Sequence, residues 1–535
     1  MWRPQPGPGK KAADGKNSSG LGALNFFAKK TGQKKKPSNK KAADGKLDRE
    51  LPYVITLITI MAASGISPFG SFTKLASYKL LPNIMVEARK VIAQVHILGE
   101  DPLTAMEKRA NNSNSRQYRD LLLGYVSTVR NGGDIASFLQ SKMKSIFEYE
   151  VSIAKQSVAK IGGLVDAYMI MQVIGLSMYV VVVALGSIGS VSIMPASFSS
   201  PIFTYLLIFV LLPGISFAIL YVMDKTVSSS LVGARKVLLR GIIYSVGAIV
   251  GFAAITMSGL LEKVIDPVYG FSIFAIAASA WPAYQGMKLE KNMRGMESDL
   301  PSYLRDVAES RKAGLSPEKC IVYASERIRN PAFHFVVKAF ANQLEWGVPL
   351  RKIYSNLSAN IKSFSALIHF RILMEAIESG GGYTTSLEIL AQSSESSFNV
   401  EREKDAMLKP YFVIGFLVTA LSAFTTLMVA QTFTEISKGI LNAPGSPATV
   451  EAPHVPGTLT STQLLAIGIT SQSWMTGFLV GKISSGSFAT GFKYAIILMG
   501  IATLAIVMTL ELHLSPASFL NTNAAQSPAG GSIFG

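Results

Sequence analysis

Glu50–Leu51–Pro52 leads through an apolar run to Gly65–Ile66–Ser67–Pro68, and the same pattern returns as Asp299–Leu300–Pro301 leading to Gly314–Leu315–Ser316–Pro317. The shift is 249 residues, and the spacing inside each copy is the same. Farther on, Asn131–Gly132–Gly133 falls on Gly380–Gly381–Gly382 at that shift. Between these points Asp101–Pro102–Leu103 lies opposite Val348–Pro349–Leu350 at a shift near 247. A polar unit of about a hundred residues, 50–150 and again 299–400, therefore occurs twice, each copy followed by long apolar runs.

Inside the units the pattern is helical. Leu51, Val54, Ile55, Leu57, Ile58 and Met61 recur at helical spacing. Gly65 stops that helix, and Ser67 caps the next with Pro68 at its first position. Ser316 and Pro317 repeat the arrangement, with Glu318 favouring the helix's positive end. Pro82, Pro102 and the Asn111–Ser115 cluster punctuate the first unit, and Asp134 can cap a helix over Ile135–Phe147. Pro331, Pro349 and Gly380–Gly382 mark turns in the second, and Tyr383–Gln392 starts its last helices. Alternating β-branched runs are absent, so the expected fold class is all-α.

The chain has 535 residues, 49 % of them hydrophobic and only 16 % charged, against about 25 % charged in an ordinary soluble domain. The deficit sits in discrete runs of about 20 residues, the length that crosses a bilayer. Four runs follow the first unit: 163–185, 202–223 (with Pro213 as a kink), 241–261 and 268–286, the last with Trp281–Pro282 near its end. Three follow the second: 408–433, 464–482 and 494–514. The expected organisation is a tail over 1–49, a helical domain over 50–160, a four-span block over 161–286, a repeated domain over 287–407, a three-span block over 408–514 and a tail over 515–535. An even number of spans puts both units on one side. Lys225, Arg235, Lys236 and Arg240 in one loop, with Lys482 and Lys493 at another, fall on that side, which the Lys/Arg asymmetry makes cytoplasmic. The odd count after the second unit places the C-terminus outside.

Net charge is +17, and twelve Lys/Arg against two Asp in residues 1–46 supply much of it. This low-complexity segment repeats KKAADGK at 10–16 and 40–46. It is expected to be disordered and to lie on anionic lipid headgroups. Leu21–Phe27 is too short and mixed for a signal peptide, and without interleaved aromatics the tail does not read as a nucleic-acid binder. Cys320 is the single cysteine, so no intramolecular disulfide forms, and a buried inert thiol is expected. His96, His334, His369, His454 and His513 make no i, i+4 pair. Glu511 and His513 read as interfacial side chains at the end of the last span. The Gly380–Gly382 run is followed by Tyr383–Thr384–Thr385, not the Lys–Ser/Thr of a P-loop. No enzyme, cofactor or metal is expected. Asp166 just inside the first span leaves a transporter or channel as the rival reading.

These features resemble the type II secretion system F family, the platform proteins of type IV filament machines. The resemblance rests on the two Gly-x-Ser-Pro turns and on Val129–Arg130–Asn131–Gly132–Gly133 with Phe138, matched by Ile377–Glu378–Ser379–Gly380–Gly381 with Leu387. The second copy is nearer the family's acidic-residue-then-glycine pattern; Arg130–Asn131 departs from it. The resemblance covers about residues 50–430, and the extra spans are more like the archaeal branch, archaellum and pilus platforms alike. It implies a homodimeric platform on which a hexameric cytoplasmic secretion ATPase docks, helping lift pilin-like or archaellin subunits from the bilayer. It places docking at the turn glycines and nearby charges: Gly132, Gly133, Arg311, Lys312, Arg351, Lys352, Glu378, Gly380 and Gly381. Deleting residues 1–46 is expected to leave folding intact, read by thermal unfolding, and to weaken binding to anionic vesicles, read by flotation.

Overall fold

The computed structural model describes residues 38–187, 206–226, 234–257, 266–380, 383–441 and 461–510. Those residues are helical and contain no strand. The first polar unit is built from α1 (Ser38–Ala63), α2 (Pro68–Leu75), α3 (Pro82–Leu98), α4 (Pro102–Asn111), α5 (Arg116–Arg130) and the first part of α6 (Ile135–Ser187). Local chemistry sets its joints. Gly65 takes a left-handed φ of 74°, and Ser67 then accepts a hydrogen bond from the Gly70 amide at 3.2 Å. Asp101 caps α4 through the Leu103 and Thr104 amides, both at 3.1 Å. Asp134 caps α6 through Ala136 at 2.9 Å and Ser137 at 3.2 Å.

The second unit runs from α9 (Pro267–Lys312) through α10 (Pro317–Glu326), α11 (Pro331–Glu345), α12 (Leu350–Leu357) and α13 (Phe364–Gly380) into α14 (Thr384–Leu441). Helix starts at 68, 82 and 135 have counterparts at 317, 331 and 384, each 249 residues on. Ser316 caps α10 through the Lys319 amide at 3.4 Å. Two further polar ties match this shift to within one residue. Ser115 donates to Asp48, and Ser363 donates to Glu297 at 2.7 Å. The units are not separate bodies. Leu51, Ile55 and Ile58 of α1 and Leu300, Leu304 and Val307 of α9 belong to one continuous apolar core.

Three expected domain boundaries fall inside helices. The 160/161 junction lies within α6, 286/287 within α9 and 407/408 within α14. A change from polar to apolar side chains alters what surrounds a helix, not its backbone bonding, so composition does not mark a joint there. The boundary at 49 also falls within a helix: α1 begins at Ser38, and Leu47, one turn before Leu51, is buried in the core. Residues 1–37 of the expected tail and all of 515–535 lie outside the described residues.

Five helices among the described residues are long and apolar enough to cross a membrane: 135–178, 209–226, 384–429, 463–485 and 488–509. They lie on α6, α7 (Leu212–Thr226, with the turn before it), α14, α15 (Ser461–Ser485) and α16 (Gly491–Leu510, with the turn before it). The runs expected as spans at 241–261 and 268–286 fall on α8 (Ala234–Met257) and the first half of α9, outside these five. Pro213 cannot bond back to the Phe209 carbonyl, and the helix before α7 opens into a π-turn over Leu207–Leu211.

α15 is the buried centre of the apolar block. It carries polar groups, and neighbouring helices answer them. Thr476 donates to Gln172 at 3.2 Å and shares a hydrogen bond with Tyr168 at 3.1 Å. Gln472 donates to Ser216 at 2.7 Å, and Trp474 to Ser279 at 3.1 Å. Gly477 and Gly481 bring α15 against α16: a Cβ at either would stand 2.3 Å from the Ala495 or Gly491 Cα. The pair Gly477→Ala with Gly481→Ala must push the helices apart and is expected to cost about 2 kcal/mol, seen as a lower thermal midpoint in detergent. Gly500→Ala, where an added Cβ meets nothing within 4 Å, should leave it unchanged.

Candidate docking face

The residues expected at a docking site gather at three corners. In the first unit, Arg130 at the end of α5 pairs with Glu107 of α4 at 2.7 Å. Gly132 beyond it turns with φ 68°, and Gly133 packs its backbone close to Thr128. In the second, Arg351 of α12 pairs with Glu378 of α13 at 3.1 Å, and Gly380 ends that helix. Both ion pairs close the same hairpin of their unit, with the polarity reversed. The third corner is the α9–α10 turn. Arg311 donates to the Leu315 carbonyl at 2.8 Å, and Lys312 reaches Glu388 of α14 at 2.5 Å. Lys352 is exposed on α12. Gly381 lies outside the described residues. All three pairs are substantially exposed and add little to stability; they orient the corners.

A buried junction between the units escaped the sequence reading. Glu375 of α13 has 2 % of its side chain exposed. The Lys74 ammonium, from α2 of the first unit, donates to it at 2.5 Å. Ser379 donates at 3.2 Å, and Tyr78 and Arg371 at 3.4 Å each. Arg371 also lies over the Tyr78 ring at 5.2 Å. Lys74 touches Ser379 as well, at 3.4 Å, so the clamp ends one residue before Gly380. Burial by itself would push the Glu375 carboxyl up; the hydrogen bond and charge of Lys74, with Arg371 and Ser379, outweigh it and hold the carboxyl below its usual range. The one available signal was a carboxylate within the apolar run Ile372–Ile377. Thr56 and Ser393 add a hydrogen bond of 2.6 Å across the same boundary.

Other titratable groups have structural surroundings. Burial pushes the Glu297 carboxyl up to about 7 against the Ser363 hydrogen bond, and the charges of Glu401 and Asp405 push the same way. Burial lowers His369 to about 4, so the ring is neutral at physiological pH. Cys320 is buried, and burial raises its thiol. Asp166 is on an exposed face of α6, not in the bundle interior. His454, Glu511 and His513 lie outside the described residues. Among the described residues no group of three His, Cys, Asp or Glu could hold a metal ion.

The clamp has a pH signature. A carboxyl held low stabilises the fold above its unfolded value, and that stability is lost as pH falls through the folded value. Glu375→Ala is expected to cost about 2 kcal/mol at pH 7, below the ~3–5 kcal/mol of a fully buried pair, because Lys74 keeps 38 % of its side chain in water. Thermal unfolding should show the gap between variant and parent narrowing as pH drops below about 4.

Residues 303–430, from the last turns of α9 through the apolar part of α14, match the family model of type II secretion system (T2SS), protein F. The match covers most of the second unit and none of the first. An uncharacterized protein of Methanocaldococcus jannaschii is 20 % identical over 486 residues, 85 % of this chain and 78 % of its own length. No solved structure matches the chain. With its five apolar helices, the chain is a multi-pass membrane protein that carries a type II secretion system protein F domain at residues 303–430.

Proposed function

We propose that this chain is the membrane platform of an archaeal type IV filament machine, an archaellum or pilus. In this reading it is not an enzyme; it couples a cytoplasmic secretion ATPase to extraction of pilin-like subunits from the bilayer. The observation that carries the reading is the continuity of α6, α9 and α14 from the shared polar core into the apolar block. A push on the polar body reaches the spans through unbroken backbone, with no chemistry required. The protein F domain includes most of α14, one of the helices that make this connection, and the last turns of α9.

The finer organisation belongs to the same proposal. The polar units are two copies of one helical domain, since helix starts and the Ser67 and Ser316 caps share the 249-residue shift, and the Asp48–Ser115 and Glu297–Ser363 ties match it to within one residue. The spans number seven, with α8 and the first half of α9 joining the five longest apolar helices. Both units face the cytoplasm. Lys493, in the first turn of α16, pairs with Glu290 of α9 at 2.6 Å, and Arg294 donates to the Ser484 carbonyl near the end of α15 at 2.6 Å. That basic turn therefore lies where α9 enters the second unit, as a cytoplasmic location of positive charge requires.

Reconstituted full-length chain is expected to bind the secretion ATPase of its own organism and to change its ATP turnover, while showing no solute flux by itself. Absence of binding, or flux without the ATPase, would remove the platform reading.

A further inference from the structure

A hydroxyl inside the apolar block can be satisfied in two ways. Ser216, Ser272, Thr470 and Ser473 donate to the carbonyl four residues back in their own helices, at 2.8–3.1 Å. Ser216 and Ser279 also accept hydrogen bonds from Gln472 and Trp474 of α15. Ser245 of α8 does neither. It is 2 % exposed, and among the described residues its hydroxyl has no hydrogen-bond partner. That hydroxyl lines a cavity of about 20 Å³ enclosed by α8, α9, α15 and α16. Trp474, at the midpoint of the 463–485 span, forms part of the same wall, so the cavity lies deep in the block. An unpaired hydroxyl at that depth has no bulk solvent to turn to and is costly.

Size and lining decide what fits. One water needs roughly 10–15 Å³ of free space, so this cavity takes one. Thr470 and Ser471 of α15 line it opposite the α8 wall and supply further partners. Thr470 spends its proton on the Ala466 carbonyl at 3.0 Å and keeps a lone pair with which to accept. Ser471 can donate or accept. The Trp474 N–H is engaged by Ser279 at 3.1 Å, so its ring adds apolar wall, as Phe271 and Met499 do. Two or three polar groups around one water-sized space are what a buried water uses.

We propose that this cavity is a binding site for one ordered water, which bridges Ser245 of α8 to Ser471 and Thr470 of α15. The bridge completes the Ser245 hydroxyl and gives α8 a polar tie to the centre of the block, beyond its packing on α9. α6, α7 and α9 hold α15 by direct hydrogen bonds; α8 holds it through solvent. Such a bridge is nearly as favourable as a direct bond and spans side chains too short to meet.

The test uses the full-length chain in nanodiscs. A density map fine enough to show ordered water should contain one compact peak within hydrogen-bonding distance of Ser245 Oγ and of the Ser471 or Thr470 hydroxyl. The peak should vanish in Ser245→Val, whose added methyl takes the space. Ser245→Ala and Ser471→Ala are each expected to lower the thermal midpoint by about 2 °C. The combined variant should lose little more than either alone, because both changes remove the same bridge. Thr503→Val, which deletes a hydroxyl bonded to the Met499 carbonyl of its own helix, should leave the midpoint nearly unchanged. A map with no peak and Ser245 Oγ turned to the Gly241 carbonyl overturns the site. An elongated density, which would be a lipid chain, or additive losses in the combined variant overturn it as well. None of these outcomes bears on whether the polar units bind an ATPase.

Discussion

A helix satisfies its backbone hydrogen bonds within itself, so it can pass from water into hydrocarbon without a joint. α6, α9 and α14 do this, and the rest of the architecture is arranged about them. At one end they enter a core shared by both polar units. At the other they pack against α15 and α16, whose glycine contacts admit little sliding.

The apolar block is held by close backbone contact and by satisfied polar groups, because lipid supplies no hydrophobic drive between helices. Gln472, Trp474 and Thr476 each find a partner on another helix. The lysines sit near helix ends and are answered from neighbouring helices. Lys482, with 1 % of its side chain exposed, meets the half-exposed Asp224 at 2.8 Å, and Lys493 meets Glu290. Each would be costly if left alone.

Features decided by a few adjacent residues were legible in the sequence. Ser67–Pro68 and Ser316–Pro317 start helices because a hydroxyl beside an amide and a fixed proline φ need no distant partner. Gly132 turns where its pattern says it should. Features decided across hundreds of residues were not. Nothing near Lys74 indicates that its carboxylate is Glu375, and nothing in the hydropathy of α15 singles out Gly477 and Gly481 as its contact with α16. The composition changes near 160, 286 and 407 fall inside single helices, because hydropathy follows the surroundings of a helix and helices outlast them. The residues expected to dock a partner stand at corners of the polar units, where Arg351 and Glu378, and Lys312 with Glu388, form small ion pairs that hold turns.

The clamp between the units is one-sided. At the shift that relates the units, Tyr323 stands where a second Lys74 would be, and Val126 where a second Glu375 would be. Two first halves brought together would offer an ammonium to a valine; two second halves would bury a carboxylate against a tyrosine. Like therefore does not mate with like at this junction. The junction therefore has a front and a back: its ammonium comes from one unit and its carboxylate from the other.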